Sequence, residues 1–71
     1  MLYVDGIGSD ADAATLIDLF VAFDDRVTAS VVGCRGFGYV CFTNGRAAIE
    51  AQLALDGRRI GRQRLRVVPA L

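Results

Sequence analysis

The octapeptide Arg35-Gly36-Phe37-Gly38-Tyr39-Val40-Cys41-Phe42 constrains the fold of this chain more than any other stretch. Successive side chains of a strand point to opposite faces of a sheet, so an extended octapeptide divides into two sets. One set, typical of a face that packs on a core, consists of Gly36, Gly38, Val40 and Phe42. The other set consists of Arg35, Phe37, Tyr39 and Cys41. Two rings beside a guanidinium favour stacking on the bases of single-stranded nucleic acid and contact with its phosphates.

A second stretch, Leu2-Tyr3-Val4-Asp5-Gly6-Ile7, lies nearer the N-terminus and alternates in the same way. Together the two stretches resemble the two signatures of the RNA recognition motif family. The longer signature reads basic, Gly, aromatic, Gly or Ala, aromatic, aliphatic, any residue and aromatic, and the octapeptide fits it throughout. The shorter signature is matched except at Gly6, where the family usually has asparagine.

The segment between the two signatures predicts a helix. Ser9 is the predicted N-cap, and the side chain of Asp12, three residues later, is predicted to complete a capping box with it. Apolar residues at helical spacing extend this helix to about Phe23 and predict that it packs on the core. Asp24 and Asp25 then form a turn with solvated charges.

The predicted second and last strands flank the octapeptide in the chain. The second strand is expected from Val27 to Val32, followed by a tight hairpin with about two linking residues, Gly33-Cys34. The last strand is expected from Arg64 to Val68. Its alternation places Leu65 and Val67 in the core and Arg64, Arg66 and Val68 on the opposite face.

Asn44 is the predicted N-cap of a second helix from Arg46 to about Leu55. By analogy with the family, Ala48, Ala51 and Leu55 face the sheet, which leaves Ile49 and Leu53 together on an adjacent stripe. A small rotation of the helix that buries this stripe is the favoured interpretation. The alternative is an exposed patch for a protein partner or a homodimer.

This order of elements predicts an α+β, ferredoxin-like βαββαβ fold, with two helices on one face of a four-stranded antiparallel sheet. A chain of 71 residues, 54% of them hydrophobic, accommodates one small domain, so residues 1–71 are expected to form a single RNA recognition motif domain. The resemblance implies that the two signature strands lie side by side in the middle of the sheet.

The resemblance also implies how the open face of the sheet is used. Tyr3 and Phe37 would each stack on a base, Tyr39 would pack between sugars, and Arg35 would meet the backbone. The expected ligand is single-stranded RNA, with single-stranded DNA as the alternative, bound with modest affinity and without a cofactor. The predicted RNA-binding residues are Tyr3, Asp5, Arg35, Phe37, Tyr39, Arg64, Arg66 and Val68.

The charges are segregated along the chain although their sum is zero. Residues 1–25 contain six aspartates and no arginine, and residues 26–71 contain eight arginines, Glu50 and Asp56, which gives −6 and +6. Every basic residue is arginine, whose planar fork can stack on rings or bind phosphate. We therefore expect placement of charge, more than its sum, to govern binding.

Two other classes of function compete with RNA binding. A protein-interaction module is the stronger rival, because some members of the family dimerise or bind proteins through their helices. An enzyme is the weaker one, since the chain has no histidine, no paired carboxylates in an apolar setting and no metal-ligand cluster. The chain is accordingly expected to be a non-enzymatic binding domain with no metal.

The N-terminal region predicts neither a membrane span nor a leader. No apolar run approaches the ~20 residues that a membrane helix needs, and Asp5 and Asp10 interrupt the beginning of the chain. A cytoplasmic location is the resulting expectation, in which Cys34 and Cys41 remain reduced thiols.

Overall fold

The computed structural model of the protein describes residues 1–8, 12–32, 35–60 and 62–70. Along these residues the elements, in chain order, are β1 (Leu2–Asp5), α1 (Ala13–Phe20), β2 (Thr28–Val32), β3 (Phe37–Cys41), α2 (Gly45–Leu55), β4 (Arg59–Ile60), β5 (Gln63–Arg64) and β6 (Arg66–Pro69).

The main sheet has four antiparallel strands in the order β2-β3-β1-β6, and β4 and β5 form a separate two-stranded hairpin. The two signature strands, β1 and β3, therefore lie side by side in the centre. Both helices contribute to the core that covers one face of the sheet, as the predicted ferredoxin-like α+β fold requires. Among the described residues, no helix covers the opposite face of the sheet.

The core forms because alternate residues of each strand point towards the helices. Its buried residues are Leu2, Val4, Leu16, Phe20, Val27, Val40, Ala51, Leu55, Leu65 and Val67. Phe42, predicted to be buried on the same strand as Val40, follows the end of β3 and is only half-buried. Its ring meets that of Phe20 edge-on at 5.7 Å between centroids, so it closes one side of the core.

Helix α1 is shorter at both ends than predicted. The proposed cap Ser9 lies outside the described residues, and the helix begins after Asp12, whose carboxylate accepts hydrogen bonds from the Thr15 amide and hydroxyl at 2.9 Å each. The helix ends at Phe20 because the chain then enters a turn in which the amide of Phe23 donates to the carbonyl of Phe20.

Asp24, predicted to be solvated, instead connects two loops. Its carboxylate accepts from the amide of Arg26 at 3.0 Å and from the amide and hydroxyl of Thr43 at 2.7 and 2.8 Å. Thr43 lies between β3 and α2, so this carboxylate ties the end of the first helical segment to the beginning of the second.

The link between β2 and β3 is longer than the predicted two residues. Val32 pairs with Phe37 across the two strands, so residues 33–36 make the connection, and of these Gly33 and Cys34 lie outside the described residues. Gly36 has φ +71°, a left-handed conformation that favours glycine, and this interrupts the extended backbone before Phe37. Arg35 is therefore not part of β3, contrary to the prediction.

The last strand begins two residues later than predicted. Arg64 belongs to β5, where it pairs with Arg59, and not to the main sheet. The cause is the backbone at Leu65, whose amide donates to the carbonyl of Arg58 and whose carbonyl accepts from the amide of Gly57. Leu65 and Val67 are buried as predicted. The amide of Val67 donates to the Asp56 carboxylate at 2.9 Å.

Helix α2 begins after the predicted cap Asn44, whose side chain accepts from the amide of Arg46. The predicted rotation that would bury Ile49 and Leu53 is wrong, because these side chains are 60% and 76% exposed. Their stripe lies opposite the buried one, which Ala47, Ala51 and Leu55 form, with Ala47 in place of the predicted Ala48. In the described parts of the chain, no helix combines the length and apolar character needed to cross a bilayer.

Candidate nucleic-acid interface

Three aromatic side chains come together on the face of the sheet that the helices leave open. Tyr3 extends from β1, and Phe37 and Tyr39 extend from the neighbouring strand β3. The ring of Tyr3 lies 5.5 Å from that of Phe37 and 5.7 Å from that of Tyr39, and the two β3 rings are 6.1 Å apart. We call Tyr3, Phe37 and Tyr39 the aromatic platform. Its members come from distant parts of the sequence, as predicted.

Strand register places polar and apolar neighbours around this platform. Tyr3 lies opposite Tyr39 on one side and Val68 on the other. Asp5 lies opposite Phe37 on one side and Arg66 on the other. The predicted positions of Asp5, Arg66 and Val68 on the open face are consistent with this register.

Asp5 is the acidic group at the edge of the platform. Its carboxylate accepts hydrogen bonds from the amide of Gly6 at 2.6 Å and from the hydroxyl of Tyr3 at 3.3 Å. Partial burial raises the pKa of Tyr3 above its usual 10.0, and the charge and hydrogen bond of Asp5 raise it further. The Tyr3 hydroxyl is consequently protonated at neutral pH and serves as the donor in this pair.

The predicted cations are distributed differently from the expectation. Arg66 is exposed on β6, beside Asp5 in the sheet. Arg35 is exposed in the segment that leads into β3, two residues before Phe37, and does not share the alternation of that strand. Arg64 lies on the separate hairpin and is not on the platform strands. Of the three predicted arginines, only Arg66 extends from the main sheet.

Strand β2 adds residues that the predicted site did not include. Ser30 pairs with Tyr39, and Val32, which is 39% exposed, pairs with Phe37. A shallow cavity of about 320 Å³ adjoins the same strand, and it is lined by Met1, Thr28, Ala29, Ser30, Tyr39 and Cys41. Thr28, Ser30 and Val32 alternate with Val27, Ala29 and Val31 in the sequence, so the signal for these neighbours was present there.

The composition of this face suits recognition of a flat, partly apolar ligand that carries negative charge. The platform supplies π-faces, Asp5 supplies acceptors, and Arg66 supplies donors and a positive charge. Among the described residues there is no group of three or more histidine, cysteine, aspartate or glutamate side chains that could hold a metal ion. The side chain of Cys41, at the edge of the cavity, is exposed and free.

A four-stranded antiparallel sheet with two helices behind it and aromatic residues on its two central strands defines a class of small α+β binding domain. The sequence profile of the RNA recognition motif matches residues 2–66, which include every strand of the main sheet at least in part and both helices. The chain belongs to the RNA recognition motif family.

Individual relatives show the same likeness. The chain is 36% identical to the glycine-rich RNA-binding protein 2, mitochondrial, of Arabidopsis thaliana, over 97% of this chain and 48% of that protein. The chain thus spans about half the length of this relative.

Solved structures agree with the fold. The second RRM domain of yeast poly(U)-binding protein Pub1 is 28% identical, with a TM-score of 0.85 over 99% of this chain and 92% of that chain. The RRM domain of S. pombe Puf1 is 22% identical, with a TM-score of 0.87 over 99% of this chain and 96% of that chain. At that identity the second likeness concerns the fold alone.

Proposed function

We propose that this domain binds single-stranded RNA by stacking bases on the aromatic platform. The observation that carries the proposal is the convergence of three rings on the uncovered face, with centroids 5.5–6.1 Å apart. Rings at this spacing can receive adjacent bases of one strand, because every base offers a π-face. Membership in the family and the RNA-binding relative support RNA over DNA as the ligand.

The exposure of the rings refines their expected roles. Tyr39 is 38% exposed, whereas Tyr3 and Phe37 are half-buried. From the sequence, Tyr3 and Phe37 are expected to stack on bases and Tyr39 is expected to pack between sugars. The open face of Tyr39, beside the cavity that reaches β2, favours this ring as a further stacking surface. We therefore assign base contact to all three rings.

Affinity is expected to be modest because few cations accompany the rings. Arg66 is the predicted phosphate contact that extends from the main sheet, and Asp5 lies directly opposite it across the strands. Binding therefore depends mainly on stacking, at about 1–3 kcal/mol for each base.

The experiment that tests the proposal is a titration of short single-stranded RNA, and of DNA of the same sequence, into the parent and into Tyr39→Ala and Phe37→Ala variants. Each substitution should weaken RNA binding by about 1–3 kcal/mol while thermal unfolding stays close to that of the parent, because an open-face ring is lost. Val21→Ala is the matched control, since it removes an exposed apolar side chain at the end of α1, outside both the platform and α2. Parent-like affinity in both platform variants would rule out the stacking role.

A second candidate function is self-association through α2. Arg46, Ile49, Leu53 and Asp56 follow one another at spacings of three, four and three residues, which is the spacing of a coiled-coil seam. All four are exposed. If the α2 helices of two copies pair antiparallel, Ile49 of one copy meets Leu53 of the other. At both ends Arg46 meets Asp56, which follows the last residue of α2 and has one carboxylate oxygen on the Val67 amide. A parallel pair would instead place like charges together, so the seam is self-complementary in one orientation.

The second candidate is tested by sedimentation equilibrium at increasing protein concentration. An interface of one short helix from each copy is smaller than the standard ~1,600 Å², so the expected dimer is weak. Leu53→Glu should abolish association and Arg46→Glu should weaken it. Ala54→Glu, with the same charge beside the seam, should leave it unchanged. A parent protein that stays monomeric at the highest concentration would overturn the candidate.

A further inference from the structure

Asp5 places a carboxylate on a face that is proposed to bind RNA, which is itself a polyanion. Base stacking does not explain why a negative charge lies there. The group is held in place from two sides, by the amide of Gly6 on one oxygen and the hydroxyl of Tyr3 on the other. A carboxylate offers about four lone-pair positions, so these two bonds leave about one free position on each oxygen. Asp5 is half-buried, which leaves part of the group open to a ligand.

The neighbours of Asp5 supply the other elements of a base-reading site. The Tyr3 ring extends along β1 so that its hydroxyl reaches the Asp5 carboxylate, and a base stacked on Tyr3 has its edge close to that carboxylate. Arg66 lies directly opposite Asp5 on the neighbouring strand. An acceptor-only group and a donor-only group thus border the same aromatic surface.

We infer that Asp5 selects guanine as the base that stacks on Tyr3. Guanine carries two adjacent donors, N1–H and the N2 amino group, which match the two oxygens of one carboxylate. Hydrogen bonds to an ionised acceptor are stronger than those between neutral groups, so this pairing discriminates as well as binds.

The other bases fit the same groups less well. Adenine and cytosine each present one amino group next to a ring nitrogen that is itself an acceptor, so only one carboxylate oxygen finds a donor. Uracil presents a single N–H between two carbonyl oxygens, which the carboxylate repels. A site built from polar groups rejects ligands that leave those groups unpaired.

The inference rests on the proposed RNA binding, and the test separates the two. The probes are short uridine RNAs that carry one guanosine, inosine, adenosine or cytidine at a central position, titrated into the parent protein. The guanosine RNA should bind at least about fivefold more tightly than the adenosine and cytidine RNAs. Inosine retains N1–H and O6 but lacks the N2 amino group, so its RNA should lie between guanosine and adenosine.

Asp5→Asn distinguishes base reading from simple charge repulsion. The carbonyl oxygen of the asparagine side chain still accepts a hydrogen bond from the Gly6 amide. The NH₂ group that replaces the second carboxylate oxygen is a donor, so it cannot accept a hydrogen bond from guanine. The variant should therefore lose the preference for guanosine over inosine and adenosine. Tighter binding of all the RNAs by the variant, with the parent order of preference, would show that the carboxylate only repels phosphates, and would overturn the inference.

Equal binding of all the RNAs by the parent would also overturn the inference but leave the RNA-binding function standing. Failure to bind any RNA would overturn the function itself.

Discussion

Gly38 has no side chain, and this lets β3 lie close to strand β2 and helix α1 at that position. It lies in β3 on the core-facing side and is buried. A Cβ atom built there would lie 2.6 Å from the carbonyl oxygen of Ser30 and 3.0 Å from a methyl carbon of Leu16. The first contact is with backbone, so it cannot be relieved by rotating a side chain. The Gly38→Ala variant should be destabilised by about 1–3 kcal/mol, as measured by urea unfolding.

Gly45 provides the matched control for this substitution. It is the first residue of α2, and a Cβ atom there would meet no atom within 4 Å. Gly45→Ala should leave stability unchanged or raise it by about 0.4–1 kcal/mol, because alanine restricts the unfolded chain. Equal stability of the two variants would show that the sheet moves to accommodate a methyl group at Gly38.

At the residue scale, the sequence predicted the positions of site residues correctly where the alternation of a strand is uninterrupted. The prediction failed for residues that lie beyond a break in the strand. Tyr3, Phe37 and Tyr39 lie within regular strands, so period-two counting placed them correctly on the open face. The same counting wrongly included Arg35 and Arg64 in strands of the main sheet, because each lies beyond a break in the extended backbone. The breaks arise from a left-handed glycine and from hydrogen bonds of Leu65 with distant residues. Alternation alone does not reveal either kind of break.

At the element scale, the loop that precedes β2 depends on one carboxylate. Asp24 accepts a hydrogen bond from the amide of Arg26 and two from Thr43, and these bonds, led by that of Arg26, hold the pKa of Asp24 below its usual 3.8. A lowered pKa means that the folded state favours the carboxylate form. The stabilisation is therefore present above pH 3.8 and is lost as the pH falls through the lower pKa of the folded state.

Asp24→Asn should be less stable than the parent at neutral pH, and the difference should narrow in acid as the parent carboxylate becomes protonated. Urea unfolding of both proteins over a series of pH values from neutral to strongly acidic measures this convergence. Because the parent is compared with the variant at each pH, other acidic groups contribute equally to both curves. A difference that stayed constant into strong acid would show that the charge of Asp24 does not contribute.

The helix boundaries show what local sequence can and cannot predict about elements. Asn44 was predicted as the N-cap of α2 and is confirmed. For α1, both Ser9 and Asp12 are good N-cap residues, and propensity alone does not choose between them. Asp12 is the observed cap, since its carboxylate bonds both the amide and the hydroxyl of Thr15. The prediction that α2 buries Ile49 and Leu53 failed for another reason. The rotation of a helix depends on which of its small residues approach the sheet, and in α2 Ala47 is buried in place of Ala48.

At the scale of the whole molecule, folding places charge away from the aromatic platform. Asp12 and Asp18 are exposed on or next to α1, behind the sheet, and Arg46 is exposed on α2 on the same side. On the main sheet itself, Asp5 and Arg66 lie opposite each other, so their charges largely offset one another. The open face is thus nearly neutral, and long-range steering of RNA towards it should be weak.

The salt dependence of binding follows from this arrangement. Each phosphate neutralised on a single strand contributes about −0.7 to the slope of log K against log salt, so contacts from Arg66 and Arg35 predict a slope of about −1.4. Arg66→Ala should make the slope shallower by about 0.7. Arg64→Ala, on the separate hairpin, and Arg46→Ala, behind the sheet, should leave it unchanged. The measurement is RNA affinity across a salt series for the parent and the three variants. The same change of slope in all three would mean that RNA responds to net charge and not to the position of the arginines.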